Sequence, residues 1–330
     1  MKLIDFNVII EDVESLNKLS AGGLVLPNNY TIPMAYGRVT KIGPGRFNDI
    51  VNKQIPINLS VGDLVIYNPG VSKPLQISTK TADGKILKKK YNKIAANECI
   101  LVLNEDENGK IIGIKSVKEN YVIIKRDNTD KMTVGGIYIP EINKTINNIT
   151  GTVICTGPGK YDPKKDQRIP CLAKPGDKTA FIEMQAIQLS IPVKKDNGEI
   201  VTEKYYEVPD SGLDVLLTTD TEGNMNSIKK IKEGHILVQR SSGEKKTTGG
   251  IYLPELDMEG HLIEATVIMV GDNCKTGVTT GDRIIYVDAK DNNKEFKLPF
   301  QDKNGKVEMK KCFILPEKEI EVILDAEESL

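Results

Sequence analysis

A six-residue motif, consisting of a glycine pair, three apolar residues and a proline, occurs three times in this chain. The copies are Gly22-Gly23-Leu24-Val25-Leu26-Pro27, Gly135-Gly136-Ile137-Tyr138-Ile139-Pro140 and Gly249-Gly250-Ile251-Tyr252-Leu253-Pro254. Their first glycines are 113 and then 114 residues apart. This period is longer than the roughly 20–50 residues of solenoid and propeller repeats. It predicts three tandem copies of one independently folding unit.

Further landmarks recur in the same order in every copy. A strand-like run precedes each glycine pair, and a second strand-like run follows it and ends at Gly43, Gly157 or Gly271. Each copy continues with a Gly-Asp pair, a turn pair typical of a hairpin, and a closing apolar strand. The Gly-Asp pairs are 62–63, 176–177 and 281–282, the turn pairs are Asp83-Gly84, Asn197-Gly198 and Asn304-Gly305, and the closing strands are predicted at 99–103, 214–217 and 320–324.

The fold class follows from the length and spacing of the apolar runs. Short β-branched runs are interrupted by Gly, Pro, Asn and Asp, and long runs with helical spacing are missing. This pattern predicts an all-β protein made of small barrels. Polar stretches at 104–110 and 219–227 are the predicted domain edges, which gives domains 1–112, 113–226 and 227–330, each of ordinary size.

Charge and apolar content argue against two classes of partner. The chain has 45 basic and 46 acidic residues, so its overall charge gives no sign of nucleic acid or an anionic membrane as partner. The run Lys88-Lys89-Lys90 is interpreted as a solvated face rather than a binding patch. No apolar run approaches the ~20 residues of a membrane span. The beginning of the chain does not resemble a signal peptide, and five cysteines without close pairs suggest reduced thiols, so we expect a cytoplasmic protein.

The sequence offers no catalytic constellation, and we therefore expect no enzymatic activity, no metal and no cofactor. The two histidines, His235 and His261, leave little room for a Ser-His-Asp arrangement, and His235 opens a predicted strand. Four clustered ligands for zinc are not found. Gly43-Pro44-Gly45 and Gly157-Pro158-Gly159 lack the rest of a phosphate-binding fingerprint and are interpreted as turns between strands.

The three apolar residues that follow each glycine pair, here called the apolar triplets, have two interpretations. Each triplet is either the next core strand or a hydrophobic plug presented to a partner's groove from a polar, turn-rich loop. Burial of one such side chain yields roughly 1.5–3 kcal/mol, so three would yield roughly 5–8 kcal/mol before the cost of ordering the loop is subtracted. Several plugs on one scaffold could raise avidity by about 10²–10⁴.

At these residues the chain resembles the GroES-type co-chaperonin family, also called the chaperonin-10 family. Copy three is most similar, in 249–255, 264–271 and 281–285; copy one is similar in 20–26 and 61–68; and copy two is similar in its triplet and in 151–157. The resemblance spans almost the whole chain. It implies three tandem GroES-like irregular β-barrels, each of about 100 residues.

The resemblance also implies a function. Family members are lids that bind the ATP-loaded ring of a GroEL-type chaperonin, displace the substrate protein and enclose it, while ATP is bound by the chaperonin and not by the lid. A mobile loop inserts its triplet between two helices of the chaperonin's apical domain. The residues implied to bind the partner are Gly22, Gly23, Leu24, Val25, Leu26, Gly135, Gly136, Ile137, Tyr138, Ile139, Gly249, Gly250, Ile251, Tyr252 and Leu253. Tyr138 and Tyr252 replace a usually aliphatic residue, so the partner's groove could differ.

Three departures keep an alternative open. Family members usually form rings of seven single domains, and three does not divide seven. The family's roof hairpin lies between the strand-ending glycine and the Gly-Asp pair. These glycines are 19 positions apart in copies one and two, but Gly271 and Gly281 are only 10 positions apart, too few for that hairpin. The last strand of each copy leads directly into the first strand of the next copy. Fusion of the copies in one chain could therefore replace the contacts that separate subunits make in a self-associated ring. The alternative is a non-catalytic ring or connector component of a large assembly, such as a viral one, built on the same fold. A zinc-dependent dehydrogenase with a GroES-like barrel is rejected for want of metal ligands.

Overall fold

The structure is a computed structural model that describes residues 3–13, 16, 34–80, 83, 85–127, 148–182, 185–219, 225–241, 262–287, 294–301 and 307–325. Within these residues the secondary structure consists almost entirely of β-strands, numbered β1 to β24. The prediction of an all-β fold is therefore confirmed. The apolar triplets lie outside the described residues.

The first repeat contains β1 to β8. Its strands are β1 (Asn7–Asp12), β2 (Ala35–Ile42), β3 (Arg46–Asn48), β4 (Lys53–Ile55), β5 (Leu64–Tyr67), β6 (Lys73–Lys80), β7 (Ile86–Ala95) and β8 (Cys99–Glu105). The predicted strand before the first glycine pair is β1, and the predicted closing strand is β8.

The second repeat contains β9 to β17, with the same order of elements after an additional first strand. Its strands are β9 (Ile111–Val117), β10 (Tyr121–Arg126), β11 (Asn148–Thr156), β12 (Lys160–Asp162), β13 (Gln167–Ile169), β14 (Lys178–Ile182), β15 (Ile187–Lys194), β16 (Ile200–Pro209) and β17 (Val215–Thr219). The predicted turn pair Asn197-Gly198 lies between β15 and β16, and Gly198 has the positive φ of 83° that such a turn requires. The other two turn pairs are not fully described.

The third repeat contains β18 to β24. Its strands are β18 (Met225–Ile231), β19 (His235–Arg240), β20 (Leu262–Val270), β21 (Arg283–Val287), β22 (Lys294–Gln301), β23 (Val307–Pro316) and β24 (Ile320–Leu324). Residues 271–282 are all described and contain no strand. The third repeat thus lacks the roof hairpin, as its short spacing predicted, whereas β3–β4 and β12–β13 form this hairpin in the first two repeats.

The chain folds into two compact units whose boundary passes through the second repeat. The first unit is Met1–Lys125, Val153–Pro175 and Ala186–Asp210, and the second is Arg126–Thr152, Gly176–Gln185 and Ser211–Leu330. This division does not test the domain boundaries given above, which remain a prediction.

Besides the two-stranded sheets of the roof hairpins, each unit contains one complete sheet and a further set of paired strands from the second repeat. In the first unit the seven-stranded sheet has the order β6-β7-β1-β2-β5-β8-β9, and β10 pairs with β16, which pairs with β15. In the second unit the six-stranded sheet has the order β22-β23-β19-β20-β21-β24, and β14 lies between β11 and β17, with β18 beyond β17. The paired strands are antiparallel. Within the described residues, these sheets are open, GroES-like layers rather than fully closed barrels.

Two successive joints link the repeats in the same way. β9, the first strand of the second repeat, pairs with the last strand of the first repeat, β8, and β18 pairs likewise with β17. In these ladders Leu101 lies opposite Val117, and Val215 lies opposite Ile231. The chain therefore supplies, by fusion, a strand pair at each joint between repeats.

An apolar hairpin face completes each joint. At the first joint Leu189, Ile191 and Tyr205 of the β15–β16 hairpin pack with Leu101 and Val117 in one buried cluster. The second joint uses the equivalent hairpin of the third repeat. There Phe296, Leu298 and Cys312 pack with Val215 and Ile231.

Candidate partner-binding site

The predicted partner-binding residues all lie outside the described part of the chain, at 22–26, 135–139 and 249–253. The structure describes instead the strands from which these residues are reached. These are β1 and β2 in the first repeat, β10 and β11 in the second, and β19 and β20 in the third. The geometry of their ends defines where each triplet-bearing stretch begins and ends.

One backbone hydrogen bond closes the base of each stretch, and it is the same bond in all three repeats. The donors are the amides of Val13, Asp127 and Ser241, and the acceptors are the carbonyls of Tyr36, Thr150 and Glu264, at 3.0, 3.1 and 3.1 Å. Between the bonded residues lie 14–35, 128–149 and 242–263, here called the linking segments, of 22 residues each. The three triplets are therefore tethered at equivalent points by chains of equal length.

A buried tyrosine anchors the strand end at the base of the first linking segment. Tyr67 is fully buried, and its hydroxyl donates a hydrogen bond to the carboxylate of Asp12, the last residue of β1. Asn92 donates to both the Tyr67 hydroxyl, at 2.9 Å, and the Asp12 carboxylate, at 3.1 Å. Burial, followed by the hydrogen bond to Asp12, raises the pKa of Tyr67, so the phenol remains a donor at neutral pH.

The third repeat has the same anchor with a partner of opposite charge. Tyr286 occupies the position of Tyr67, is also fully buried, and accepts a hydrogen bond at 2.8 Å from Nε of Arg240, the last residue of β19. The guanidinium of Arg240 lies 3.7 Å from the centre of the Phe313 ring, a cation–π contact. Both tyrosines thus hold the residue that lies two positions before a linking segment.

The second repeat replaces this anchor with an ion pair. Phe181 stands where the other repeats have tyrosine, and it has no hydroxyl to offer. The carboxylate of Asp127 instead pairs with the ammonium of Lys178 and accepts a 3.3 Å hydrogen bond from the hydroxyl of Thr152. Sequence reasoning missed these anchors, although the tyrosine that ends the run after two of the Gly-Asp pairs was a visible signal.

The glycines that end the second strand of each repeat were predicted from their spacing. The structure explains why glycine is required at these positions. A Cβ on Gly43, Gly157 or Gly271 would lie 2.3–2.4 Å from a backbone carbonyl oxygen. The amides of these glycines bond to the carbonyls of Asn7, Tyr121 and His235, the first residues of β1, β10 and β19. Only glycine permits this close approach of two strands.

The two roof hairpins contact each other within the first unit. Asn48 is buried, and its side-chain amide donates to the Tyr161 hydroxyl at 3.1 Å and to the Pro163 carbonyl at 2.9 Å. Lys53 forms a 2.8 Å ion pair with Asp166 across the same contact. These polar contacts hold together hairpins from two different repeats.

In the described ranges, no three His, Cys, Asp or Glu side chains come together as a metal site requires. Burial raises the pKa of Cys99 to about 12 and that of Cys312 to about 11, so these thiols are protonated and weakly nucleophilic at neutral pH. His235 opens β19, and its Nδ1 lies 2.8 Å from the Glu233 carbonyl; His261 lies outside the described residues. No helix in the described part of the chain has the length and hydropathy of a membrane span.

Three repeats with this strand order, fused through β9 and β18, define a chain of tandem GroES-like domains. The family model of the chaperonin 10 kDa subunit matches the chain three times, over residues 1–97, 114–208 and 228–324. The chain therefore belongs to the chaperonin 10 kDa subunit family, as its resemblance predicted.

Individual relatives are similar to one portion of the chain. The chain is 35% identical to the co-chaperonin GroES of Paenarthrobacter aurescens (strain TC1) over 68 residues, which are 21% of this chain and 67% of the relative. Over the same length and shares it is 35% identical to the co-chaperonin GroES of Clavibacter michiganensis subsp. michiganensis (strain NCPPB 382) and 32% identical to that of Mycobacterium leprae (strain TN). These names support a co-chaperonin role in general.

Proposed function

We propose that this chain is a co-chaperonin lid that binds the apical domains of an ATP-loaded GroEL-type chaperonin through its apolar triplets and so assists protein folding. The equal tethering of the three triplets is the observation that carries the proposal. Each triplet lies in a 22-residue linking segment that one equivalent backbone hydrogen bond closes. Three equivalent linking segments of equal length would match a partner that has repeated, equally spaced grooves.

Affinity would come from apolar burial and multivalency. A single triplet that buries three side chains gains roughly 5–8 kcal/mol, from which the ordering of its segment is subtracted, so one triplet alone binds weakly. Three triplets on one scaffold could raise avidity by about 10²–10⁴. Weak individual contacts also allow the lid to leave when the chaperonin changes state.

The anchored bases would transmit this binding to the body of the lid. Tyr67 with Asp12, Tyr286 with Arg240, and Lys178 with Asp127 hold residues that lie one or two positions before the linking segments. Binding at a triplet would therefore act directly on a strand that is anchored in the core. We propose that the chain itself is not an enzyme, binds no cofactor or metal and acts in the cytoplasm, with ATP bound by the chaperonin.

We also propose that copies of the chain associate with one another into a ring. β24 is the last strand of its sheet, at the place where β8 and β17 are each covered by the first strand of the following repeat. Another copy could supply a strand there. Neither nucleic acid nor a membrane is proposed as a partner.

The test is ATP-dependent binding of the full-length chain to an immobilised GroEL-type chaperonin. The variant Leu24→Ser, Ile137→Ser, Ile251→Ser removes one side chain from each triplet. We expect binding of the unchanged chain with ATP and loss of binding by about 10²-fold or more in the variant, since three buried aliphatic side chains are removed. Inhibition of the chaperonin's ATP turnover should be lost in parallel.

A matched control is available at three exposed aliphatic residues. Ile86, Ile200 and Val307 are the first residues of β7, β16 and β23, and all three side chains are exposed. The variant Ile86→Ser, Ile200→Ser, Val307→Ser should bind as the unchanged chain does. Equal binding by the triplet variant and by this control would refute the proposed role of the triplets. The connector alternative gains no support from the relatives, whose names are those of co-chaperonins.

A further inference from the structure

We infer that this chain also binds extended polypeptide segments directly, by adding them as a strand to the open edge of a long hairpin in each repeat. The hairpins are β6–β7, β15–β16 and β22–β23. Their open edges are residues 86–91 of β7, 200–205 of β16 and 307–312 of β23, here called the hairpin edges. This activity goes beyond the proposed lid function, because it requires no chaperonin and uses none of the apolar triplets.

Each hairpin edge has a neighbouring strand on one side only, among the residues that the structure describes. β6 pairs with β7 from 86 to 93, but β1 pairs with β7 only from 92 to 95. In the same way β10 pairs with β16 only from 206 to 209, and β19 pairs with β23 only from 313 to 316. The equivalent part of the hairpin is therefore left without a second neighbour in all three repeats.

The hairpin edges are open because the neighbouring strand turns away from them. The last two residues of β1, Glu11 and Asp12, pair with β2 and not with β7. Gln239 and Arg240 of β19 likewise pair with β20 and not with β23. The strand that leads into a linking segment thus diverges from the hairpin edge beside it.

In the third repeat this divergence produces a cleft of about 500 Å³. Residues 239–241 line one side of the cleft, residues 308–311 line the other, and Phe313 contributes its ring. Ligand-binding clefts usually have volumes of about 300–1,000 Å³. The cleft is therefore large enough to receive part of a peptide beside the hairpin edge.

The backbone of the hairpin edges indicates the class of ligand. A strand with one neighbour presents a row of N–H and C=O groups on its open side. An extended polypeptide has donors and acceptors with the matching spacing, and it lies about 4.7–4.9 Å away when it pairs. A phosphate backbone or a lipid tail has no such pattern. The ligand is therefore an extended peptide segment of the kind that an unfolded protein exposes.

Side chains on one face of each hairpin edge add a preference for sequence. An exposed aliphatic residue is followed four positions later by an exposed lysine, and side chains at this separation on a strand share a face. The pairs are Ile86 with Lys90, Ile200 with Lys204, and Val307 with Lys311. An added strand that has an apolar residue and a carboxylate four positions apart would place each of them opposite a suitable partner. We expect such segments to bind best.

A second copy of the chain fits the hairpin edges less well than an acidic and apolar peptide does. Lysines on an edge strand disfavour the pairing of two such edges. Antiparallel pairing of two first hairpin edges about residue 88 would set Lys88 opposite Lys88 and Ile86 opposite Lys90. Like charges directly opposite each other are destabilising.

Fluorescence anisotropy with a labelled synthetic peptide tests the inference on the full-length chain in the absence of a chaperonin. The probe is a threonine-rich peptide in which one leucine and one glutamate are four positions apart. We expect saturable binding of this probe. The same peptide with N-methylated backbone amides should bind about tenfold or more weakly, because it cannot donate backbone hydrogen bonds. A probe with lysine in place of the glutamate should also bind less tightly.

Charge reversal at the three shared lysines should reverse this preference. The variant Lys90→Glu, Lys204→Glu, Lys311→Glu should bind the glutamate probe about tenfold or more weakly and the lysine probe more tightly than the unchanged chain does. A misfolded variant would lose both probes, so a reversal identifies the hairpin edges. The control variant Lys164→Glu, Lys165→Glu changes two exposed lysines between β12 and β13 and should keep the original preference.

Two further variants separate peptide binding from chaperonin binding. Ile86→Ser, Ile200→Ser, Val307→Ser should weaken peptide binding about tenfold or more and leave chaperonin binding unchanged, since the hairpin edges are not proposed to contact the chaperonin. Leu24→Ser, Ile137→Ser, Ile251→Ser should have the opposite effects.

The inference would be overturned by absence of probe binding, by equal binding of the N-methylated probe, or by loss of probe binding in the triplet variant alone. It would also be overturned if sedimentation velocity showed self-association that the probe disrupts and the lysine reversal strengthens, since a second copy would then occupy the hairpin edges. None of these results bears on chaperonin binding. Loss of chaperonin binding with intact probe binding would contradict the proposed lid function alone.

Discussion

The ammonium of Lys118 lies 3.0 Å from Oε1 of Glu207, a carboxylate that is fully buried in the joint between the first and second repeats. Burial raises the pKa of Glu207; Lys118 opposes this effect and Glu98 adds to it. The folded chain therefore holds the proton on Glu207 more tightly than the unfolded chain does. Stability from this site is complete below the unfolded pKa of 4.5 and is lost as pH rises through the folded value.

Replacement of Glu207 by glutamine should remove this pH dependence. The free energy of unfolding of the unchanged chain, minus that of Glu207→Gln, should fall as pH rises above about 4.5. Denaturant titrations of both proteins at a series of pH values measure this difference. A difference that is constant or that rises with pH would contradict the buried, proton-binding character of Glu207.

Glu203, four residues earlier on β16, should show the opposite sign. Burial alone would raise its pKa, but hydrogen bonds from Lys125, Lys195 and Tyr205 outweigh burial and bring the pKa to about 2. Its contribution to stability is present above the unfolded value of 4.5 and is lost as pH falls toward about 2. In the same titrations the difference between the unchanged chain and Glu203→Gln should therefore grow as pH rises from about 2 to about 4.5. A slope of the same sign as that for Glu207 would show that the ion pair does not form.

Gly157→Ala should destabilise the chain by about 1–3 kcal/mol or more, because the new Cβ would lie 2.3 Å from the carbonyl oxygens of Lys118 and Glu119. Gly113→Ala is the matched control, since a Cβ on this β9 glycine would meet nothing within 4 Å. Its effect should stay within about 0.5 kcal/mol. Thermal and denaturant unfolding measure both variants, and equal stabilities would contradict the close approach.

Tyr67→Phe should cost about 1–2 kcal/mol, because the hydrogen bond from the buried phenol to the carboxylate of Asp12 is lost while the ring remains in place. Tyr286→Phe should behave similarly through Arg240. The control is Tyr91→Phe, since the structure describes no hydrogen bond of the Tyr91 hydroxyl, and its unfolding midpoint should be nearly unchanged. If Tyr67→Phe is as harmless as this control, the proposed anchor of the first linking segment is not an anchor.

The sequence predicts the order of strands well, because the landmarks behind it are local. The run from Val8 to Ile10 is apolar without interruption, which is typical of a strand buried on both faces, and β1 is such a strand. The missing roof hairpin of the third repeat also follows from a simple count of residues between Gly271 and Gly281. These turns and strands could be predicted without tertiary information, because they depend on residues that are close together in the sequence.

The contacts across strands could not be predicted in the same way. Glu11 pairs with Lys89 in the first repeat, and the equivalent Lys125 pairs with Glu203 in the second, each 78 residues apart and with the signs reversed. Charge patterns along the chain do not identify such partners. Lys88, Lys89 and Lys90 are all exposed, which agrees with their interpretation as a solvated face.

Hydrogen–deuterium exchange in the presence of an ATP-loaded GroEL-type chaperonin tests the central claim most directly. Peptides that contain 22–26, 135–139 and 249–253 should exchange at least about tenfold more slowly when the chaperonin is bound, because a groove covers the triplets. Peptides from β7, β16 and β23 should be unaffected by chaperonin binding. Slower exchange in the three triplets alone is the predicted result. Binding of the chaperonin with unchanged exchange in all three triplets would contradict the account.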